Sequence, residues 1–173
     1  MLKVVLDTNV LVSALWTPAG NASTIINLIL TDKIIPCFDH RILNEYRTVL
    51  SRPRLSFPAG QVDELLTEIT GRGLSVIADV HPRSVTMTDE SDRKFYDTAK
   101  FCEAYLITGN AKHFPKDPQV INPARFLDIL TRKAIERITV SQEPENDLFG
   151  IWKGRKDTDN VEQFVRKIRK GRK

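Results

Sequence analysis

Two apolar runs stop abruptly on small polar residues. Val4-Val5-Leu6 gives way to Asp7-Thr8-Asn9, and Tyr105-Leu106-Ile107 gives way to Thr108-Gly109-Asn110. Two further acids sit on helical patterns: Glu45 at the margin of an apolar stripe, and Asp92 one turn ahead of another. If Asp7, Glu45, Asp92 and Asn110 meet, they form a carboxylate cluster with no histidine or cysteine in it. Packed like charges raise one another's pKa unless a cation is present. Hard divalent cations answer that need. Mg²⁺ and Mn²⁺ prefer oxygen ligands, and Mg²⁺ commonly takes one or two carboxylates together with water and phosphate oxygens. Such a metal acidifies a bound water and screens a phosphoryl group in transfer, so these residue types point to phosphodiester hydrolysis. Asn110 would contribute through its carbonyl oxygen, directly or through water, and brings no charge.

Each residue also has a plainer reading. Asp7 is a natural cap for a helix that follows it. Asp92 is placed to be an N-cap or a first-turn acid favoured by the helix dipole. Glu45 alone is the kind of residue that sits solvated on a helix surface.

The elements that must position these groups follow from spacing. Apolar runs without alternation suit strands buried on both faces of a parallel sheet. Ligands of open α/β sheets bind in the crevice at the carboxyl ends of such strands, where Asp7 and Asn110 would lie. A helix is expected after Asn9 up to the break at Pro18-Ala19-Gly20, and another through Leu30, capped by Asn21 or Ser23. Ile34 to Phe38 is a short strand whose Pro36 argues for an end or an edge. Asp39 opens a helix to about Leu50 with Ile42, Leu43, Tyr46, Val49 and Leu50 as its stripe. Pro58 opens another, closing at Gly71-Arg72-Gly73, and Leu74 to Ile77 is a third strand. Residues 79–90 read as a loop. From Asp92 a helix turns Phe95, Ala99 and Cys102 inward, with Arg93, Lys94, Asp97 and Lys100 opposite and Asp97 facing water. Val120-Ile121 is a last short strand, and Asn122-Pro123 begins a helix through Leu130. Strands and helices alternate, so the expected architecture is α/β, a central, mainly parallel sheet of about five strands with right-handed crossovers.

The 173 residues, 41% hydrophobic and 28% charged, match a soluble globular chain. No apolar run approaches the roughly 20 residues of a membrane span, and no signal peptide is expected at the start. Cys37 and Cys102 lie in apolar surroundings and read as core thiols of a reducing cytoplasm. The net charge of +4 is unevenly placed. Residues 153–173 carry nine Lys/Arg against three Asp/Glu, leaving residues 1–152 with 17 against 19. The inference from basic charge to nucleic acid therefore applies to the tail.

Leu6-Asp7-Thr8-Asn9-Val10, Glu45 in mid-helix, Asp92 heading a helix, and Leu106-Ile107-Thr108-Gly109-Asn110 resemble the ordered landmarks of PIN-domain proteins. The likeness covers roughly residues 2 to 130. In particular the chain resembles the VapC-like branch, the toxin components of toxin–antitoxin pairs. The resemblance implies a three-layer α/β/α fold and a metal-dependent endoribonuclease using Mg²⁺ or Mn²⁺. Asp7, Glu45 and Asp92 would be its metal ligands, and Thr8, Asn9 and Thr108 would support the site. Related toxins commonly form homodimers. Asn110 stands where the family often has an aspartate. That departure keeps a second reading open, a catalytically weak RNA-binding or complex-forming module. A strand-terminal aspartate also opens haloacid-dehalogenase-like phosphatases, but those need a second aspartate two residues on, where this chain has Asn9.

The nuclease-like domain is expected to span residues 1–130, with a linker over 131–147 and a basic tail over 148–173. Phe149 and Trp152 stand beside Lys153 and Arg155, and Val161, Phe164, Val165 and Ile168 form a stripe on a basic helix. Such segments dock in grooves. This one resembles the toxin-wrapping tail of the partner antitoxin, which implies that it restrains the nuclease of its own or a neighbouring chain. The alternative is a tail that grips RNA phosphates.

Overall fold

Val4 and Val5 are wholly buried and Leu6 nearly so, and the strand they form, β1 (Leu2–Leu6), is the middle of a five-stranded parallel sheet. The computed structural model describes residues 1–78 and 86–140. The sheet order is β3-β2-β1-β4-β5, with β2 Ile34–Phe38, β3 Leu74–Ser75, β4 Tyr105–Ile107 and β5 Val120–Ile121. Six helices flank it: α1 Thr8–Trp16, α2 Asn21–Leu30, α3 His40–Leu50, α4 Ala59–Arg72, α5 Arg93–Cys102 and α6 Pro123–Val140. The arrangement is three-layered, α/β/α. From β1 the chain adds β2 and β3 on one side, then returns to add β4 and β5 on the other. Right-handed crossovers running in opposite directions leave from opposite faces, so a crevice opens at the carboxyl ends of β1 and β4.

The register sets the two strand ends side by side. Leu6 lies opposite Ile107, and the Asp7 N–H extends the ladder to the Ile107 carbonyl at 2.9 Å. Pro36 is not at an edge of the sheet, because β2 lies between β1 and β3. Its missing N–H is tolerated because β3 pairs with β2 only at Cys37 and Phe38. Gly73 makes that junction possible. A Cβ there would meet Phe38 Cε1 at 2.6 Å, the Pro36 carbonyl at 2.7 Å and the Ile69 carbonyl at 2.8 Å.

Three sequence expectations are corrected. Gly20, not Asn21 or Ser23, is the N-cap of α2. Ser23 instead donates to the Ala14 and Thr17 carbonyls and closes the turn between α1 and α2. Asp97 does not face water. It is fully buried and Arg93 is nearly so, because α5 packs against β1, β2, β4 and α3 and has little free face. Arg93 pairs with Glu90 at 2.5 Å, and that hydrogen-bonded pair, with a smaller attraction from Asp97 one turn on, holds the guanidinium in its charged form. Finally, α6 runs on to Val140 instead of ending at Leu130, so residues 131–140 are helical. The compact unit that carries the sheet spans Met1–Arg132.

Candidate metal centre

Asp7 leaves β1 and enters α1 with little exposure to water, 7%. It does cap α1, its Oδ1 accepting from the Asn9 N–H at 3.2 Å. Its other oxygen is held by side chains: Thr108 Oγ1 donates to Oδ2 at 2.5 Å and Asn9 Nδ2 at 2.7 Å. Asn9 in turn accepts from the Gly109 N–H at 3.0 Å, which ties the two strand ends together. Burial pushes the Asp7 carboxyl above its ordinary range; hydrogen bonds from Thr108 and Asn9 oppose this, and repulsion from Asp92 and Glu45 adds to it. Among the described residues no Lys, Arg or His forms an ion pair with Asp7.

Glu45 is brought in by α3, which Tyr46 pins to the sheet. The buried Tyr46 hydroxyl donates to the Leu6 carbonyl, and burial keeps the phenol protonated by raising its pKa well above the usual value. The Tyr46 ring stacks on Phe95 of α5 with centroids 6.3 Å apart, so the helices bearing Glu45 and following Asp92 share one contact. Glu45 is not a free surface acid. Oε1 accepts from Thr8 Oγ1 at 2.5 Å, and Oε2 pairs with Lys94 Nζ at 2.6 Å.

Asp92 ends a 3₁₀ turn (Glu90–Asp92) and precedes α5, yet its side chain caps nothing. Instead Oδ2 faces His113 Nδ1 at 2.9 Å, and His113 Nε2 faces Asn110 Nδ2 at 2.7 Å. An amide nitrogen can only donate, so Nε2 accepts, and the neutral ring's proton lies on Nδ1 and points to Asp92. The Asn110 N–H donates to Thr108 Oγ1 at 2.9 Å. Sequence reasoning missed His113. Its signal was a position three residues after Asn110, in the short turn Ala111–His113 that follows a strand end.

One cavity of about 560 Å³ receives Asp7, Glu45, Asp92 and Asn110 from four separate places in the chain, with Thr8 and Asn9 beside them. Thr108 is fully buried behind it. Asp89, also unforeseen, reaches the same cavity from the loop before α5. Hydrogen bonds from Ser91 hold its carboxyl below the ordinary range. Among the described residues, the three potential ligands whose donor atoms all lie within 4.8 Å of one another are Asp89, Asp92 and His113. Asp7 and Glu45 share the cavity but not that tightest group. The donor set suits a divalent cation. Asp7 is a desolvated carboxylate with hydrogen bonds but, among the described residues, no counter-charge; carboxylate oxygens dominate, and the His113 imidazole would become a ligand only by giving up its bond to Asp92 or to Asn110. Phe149, Trp152, Lys153 and Arg155 lie outside the described residues. No helix among the described residues is long and apolar enough to cross a membrane.

Comparison with known proteins agrees with this geometry. An uncharacterized protein of Methanocaldococcus jannaschii is 34% identical to the chain over 110 residues, covering 63% of this chain and 71% of that protein. The PIN domain family matches residues 3–112, a span from β1 through β4 and Asn110 that stops one residue short of His113. The strand order, the acid-lined crevice at the ends of β1 and β4, and this match agree: the chain belongs to the PIN-domain family.

Proposed function

We propose that the protein is a metal-dependent endoribonuclease that hydrolyses phosphodiester bonds of RNA, a toxin-like cytoplasmic enzyme working as a homodimer. The supporting observation is the meeting of Asp7, Glu45 and Asp92 in one cavity at the crevice, with Asp7 buried and lacking any cationic partner among the described residues. Mg²⁺ or Mn²⁺ supplies neutralisation of the phosphoryl charge and acidification of a water. The chain's own residues divide the remaining work. Asp7, Glu45 and Asp92 would hold the ion, and Asn110 would add a neutral oxygen. Thr108 and Asn9 fix the Asp7 carboxylate in one orientation, and Thr8 does the same for Glu45. His113 occupies the Asn110 amide nitrogen, which leaves the carbonyl oxygen for the site.

Cleavage of a single-stranded RNA by the full chain with added Mn²⁺, lost in Asp7→Asn, is the expected result. Equal cleavage by parent and Asp7→Asn would sink the assignment. The second reading, a catalytically weak RNA-binding or complex-forming module, is favoured by one observation, the neutral Asn110 at the fourth position. It predicts RNA binding by the parent without metal-dependent cleavage.

The tail proposal rests on sequence. Residues 148–173 are read as an antitoxin-like segment that restrains the nuclease of its own or a neighbouring chain, with Phe149 and Trp152 as anchors and Lys153 or Arg155 taking a metal or phosphate position. Removing residues 141–173, which leaves α6 whole, should raise cleavage and tighten RNA binding. Weaker RNA binding in the truncated chain would favour a tail that grips phosphate instead.

A further inference from the structure

The carboxylates line only one end of the cavity. Along α1 the cavity is lined by Thr8 and Asn9 and then by Val12 and Trp16; Thr8, Val12 and Trp16 are spaced four apart and therefore lie on one face of the helix. They run from the acids outward over about 12 Å, at 1.5 Å per residue. Along α3 the cavity is lined by Glu45 and then Val49, the same gradation from acid to apolar. The outer end is closed by Arg54 and Leu55 on the turn Pro53–Leu55.

Trp16 is 61% exposed although indole is the largest side chain. A lone exposed hydrophobe is ordinary, but this one is braced. Its ring lies 5.9 Å from that of Phe57, tilted by 53°, and Phe57 packs on the core. The indole is thus steadied from one side while most of it stays open. Arg54 is exposed, and among the described residues it has no ion-pair partner, although four acids line the same cavity. The outer end therefore offers an open aromatic surface, an apolar wall and a free guanidinium. Those groups match an unpaired nucleobase and the phosphate attached to it.

We propose that Trp16 and Arg54 form a subsite for an unpaired base flanking the scissile phosphate, the base stacking on the indole and its phosphate pairing with the guanidinium. The subsite rests on the nuclease reading and adds to it two residues, Trp16 and Arg54, that would favour an unpaired base over a paired one. A base inside a duplex already has both faces stacked and cannot use the platform.

The test is equilibrium binding of a short fluorescent single-stranded RNA to the full-length chain carrying Asp7→Asn, read by anisotropy with Mg²⁺ present. Adding Trp16→Leu, which keeps an apolar contact for Phe57 but removes the stacking face, should weaken binding by roughly 5- to 150-fold, the range that one base–aromatic stack gives. Trp16→Phe should restore most of the loss. The Trp16→Leu effect should vanish with a duplex of the same sequence. Arg54→Ala should weaken binding and lower the salt slope by about one. Undiminished binding by Trp16→Leu, or equal losses for single-stranded and duplex RNA, would overturn the subsite. Cleavage by Asp7→Asn alone reports separately on the metal site. If that variant is inactive while Trp16→Leu binds normally, only the subsite is wrong. If it cleaves like the parent while Trp16→Leu binds weakly, only the metal assignment is wrong.

Discussion

The ends of β1 and β4 lie side by side and look alike in sequence, Asp7-Thr8-Asn9 against Thr108-Gly109-Asn110, but they are held in opposite ways. Asp7 is buried, and its carboxylate accepts three hydrogen bonds from groups on the two strand ends themselves. Asn110 is half-exposed, and its side chain is held from outside by His113, which is itself anchored on Asp92. One end carries a charge whose orientation is fixed by neutral donors. The other carries a neutral group whose orientation is fixed by a titratable ring. On the proposed reading, a metal held here would meet one anchor fixed from within the strand ends and one ligand held from outside them. The anchor fixed from within bears the electrostatic cost.

Changes at the Asp7 end should do the most damage. Asp7→Asn should abolish metal-dependent RNA cleavage while leaving a folded chain, checked by circular dichroism alongside the assay. Cleavage retained at the parental rate would remove Asp7 from the centre of the comparison. Thr108→Val leaves a buried carboxylate oxygen short of a donor and should cost about 1–3 kcal/mol of stability by denaturant unfolding. A loss too small to measure would mean that Asn9 alone orients Asp7. At the Asn110 end, His113→Ala should change stability by less than about 0.5 kcal/mol, since the ring is 40% exposed. It should nevertheless weaken Mn²⁺ binding by roughly 10- to 100-fold in calorimetric titration, as loss of a group that orients ligands does. Equal metal affinity in parent and variant would erase the distinction between the two ends.

The subtlest expectation concerns pH. Folding raises the Asp7 pKa above 3.8, so between 3.8 and the raised value the native state binds more protons than the unfolded chain. Stability of the metal-free protein should therefore fall as pH rises through that window, and Asp7→Asn should remove that part of the pH dependence. Identical pH profiles for parent and variant would show that neutral donors offset the desolvation completely.

How much of this was readable beforehand depended on what each residue's neighbours in sequence reveal. β1 and β4 were legible because strands buried on both faces leave unbroken apolar runs, and the residue at which each run stops marks the crevice. Glu45 and Asp92 were legible as helix positions at the edge of a stripe. The burial of Asp97 and Arg93 was not, because a helix wheel assumes a wet face, and α5 touches three strands and another helix. His113 and Asp89 were missed for a related reason. Both reach the cavity from irregular backbone, a 3₁₀ turn and a loop, where no periodicity says which way a side chain points. Trp16 and Arg54 lie a few residues beyond the landmarks. Their common cavity follows from how α1 and the turn after α3 meet in space, which no local pattern records.

The reversal of strand order has a consequence for biosynthesis. β4 enters the sheet next to the first strand made, not the last. Until the ribosome has delivered residues past Asn110, Asp7 lacks Thr108, and Glu45 has no crevice to face. A nascent chain short of that point therefore lacks the assembled cavity, and the crevice is completed all at once, late in translation.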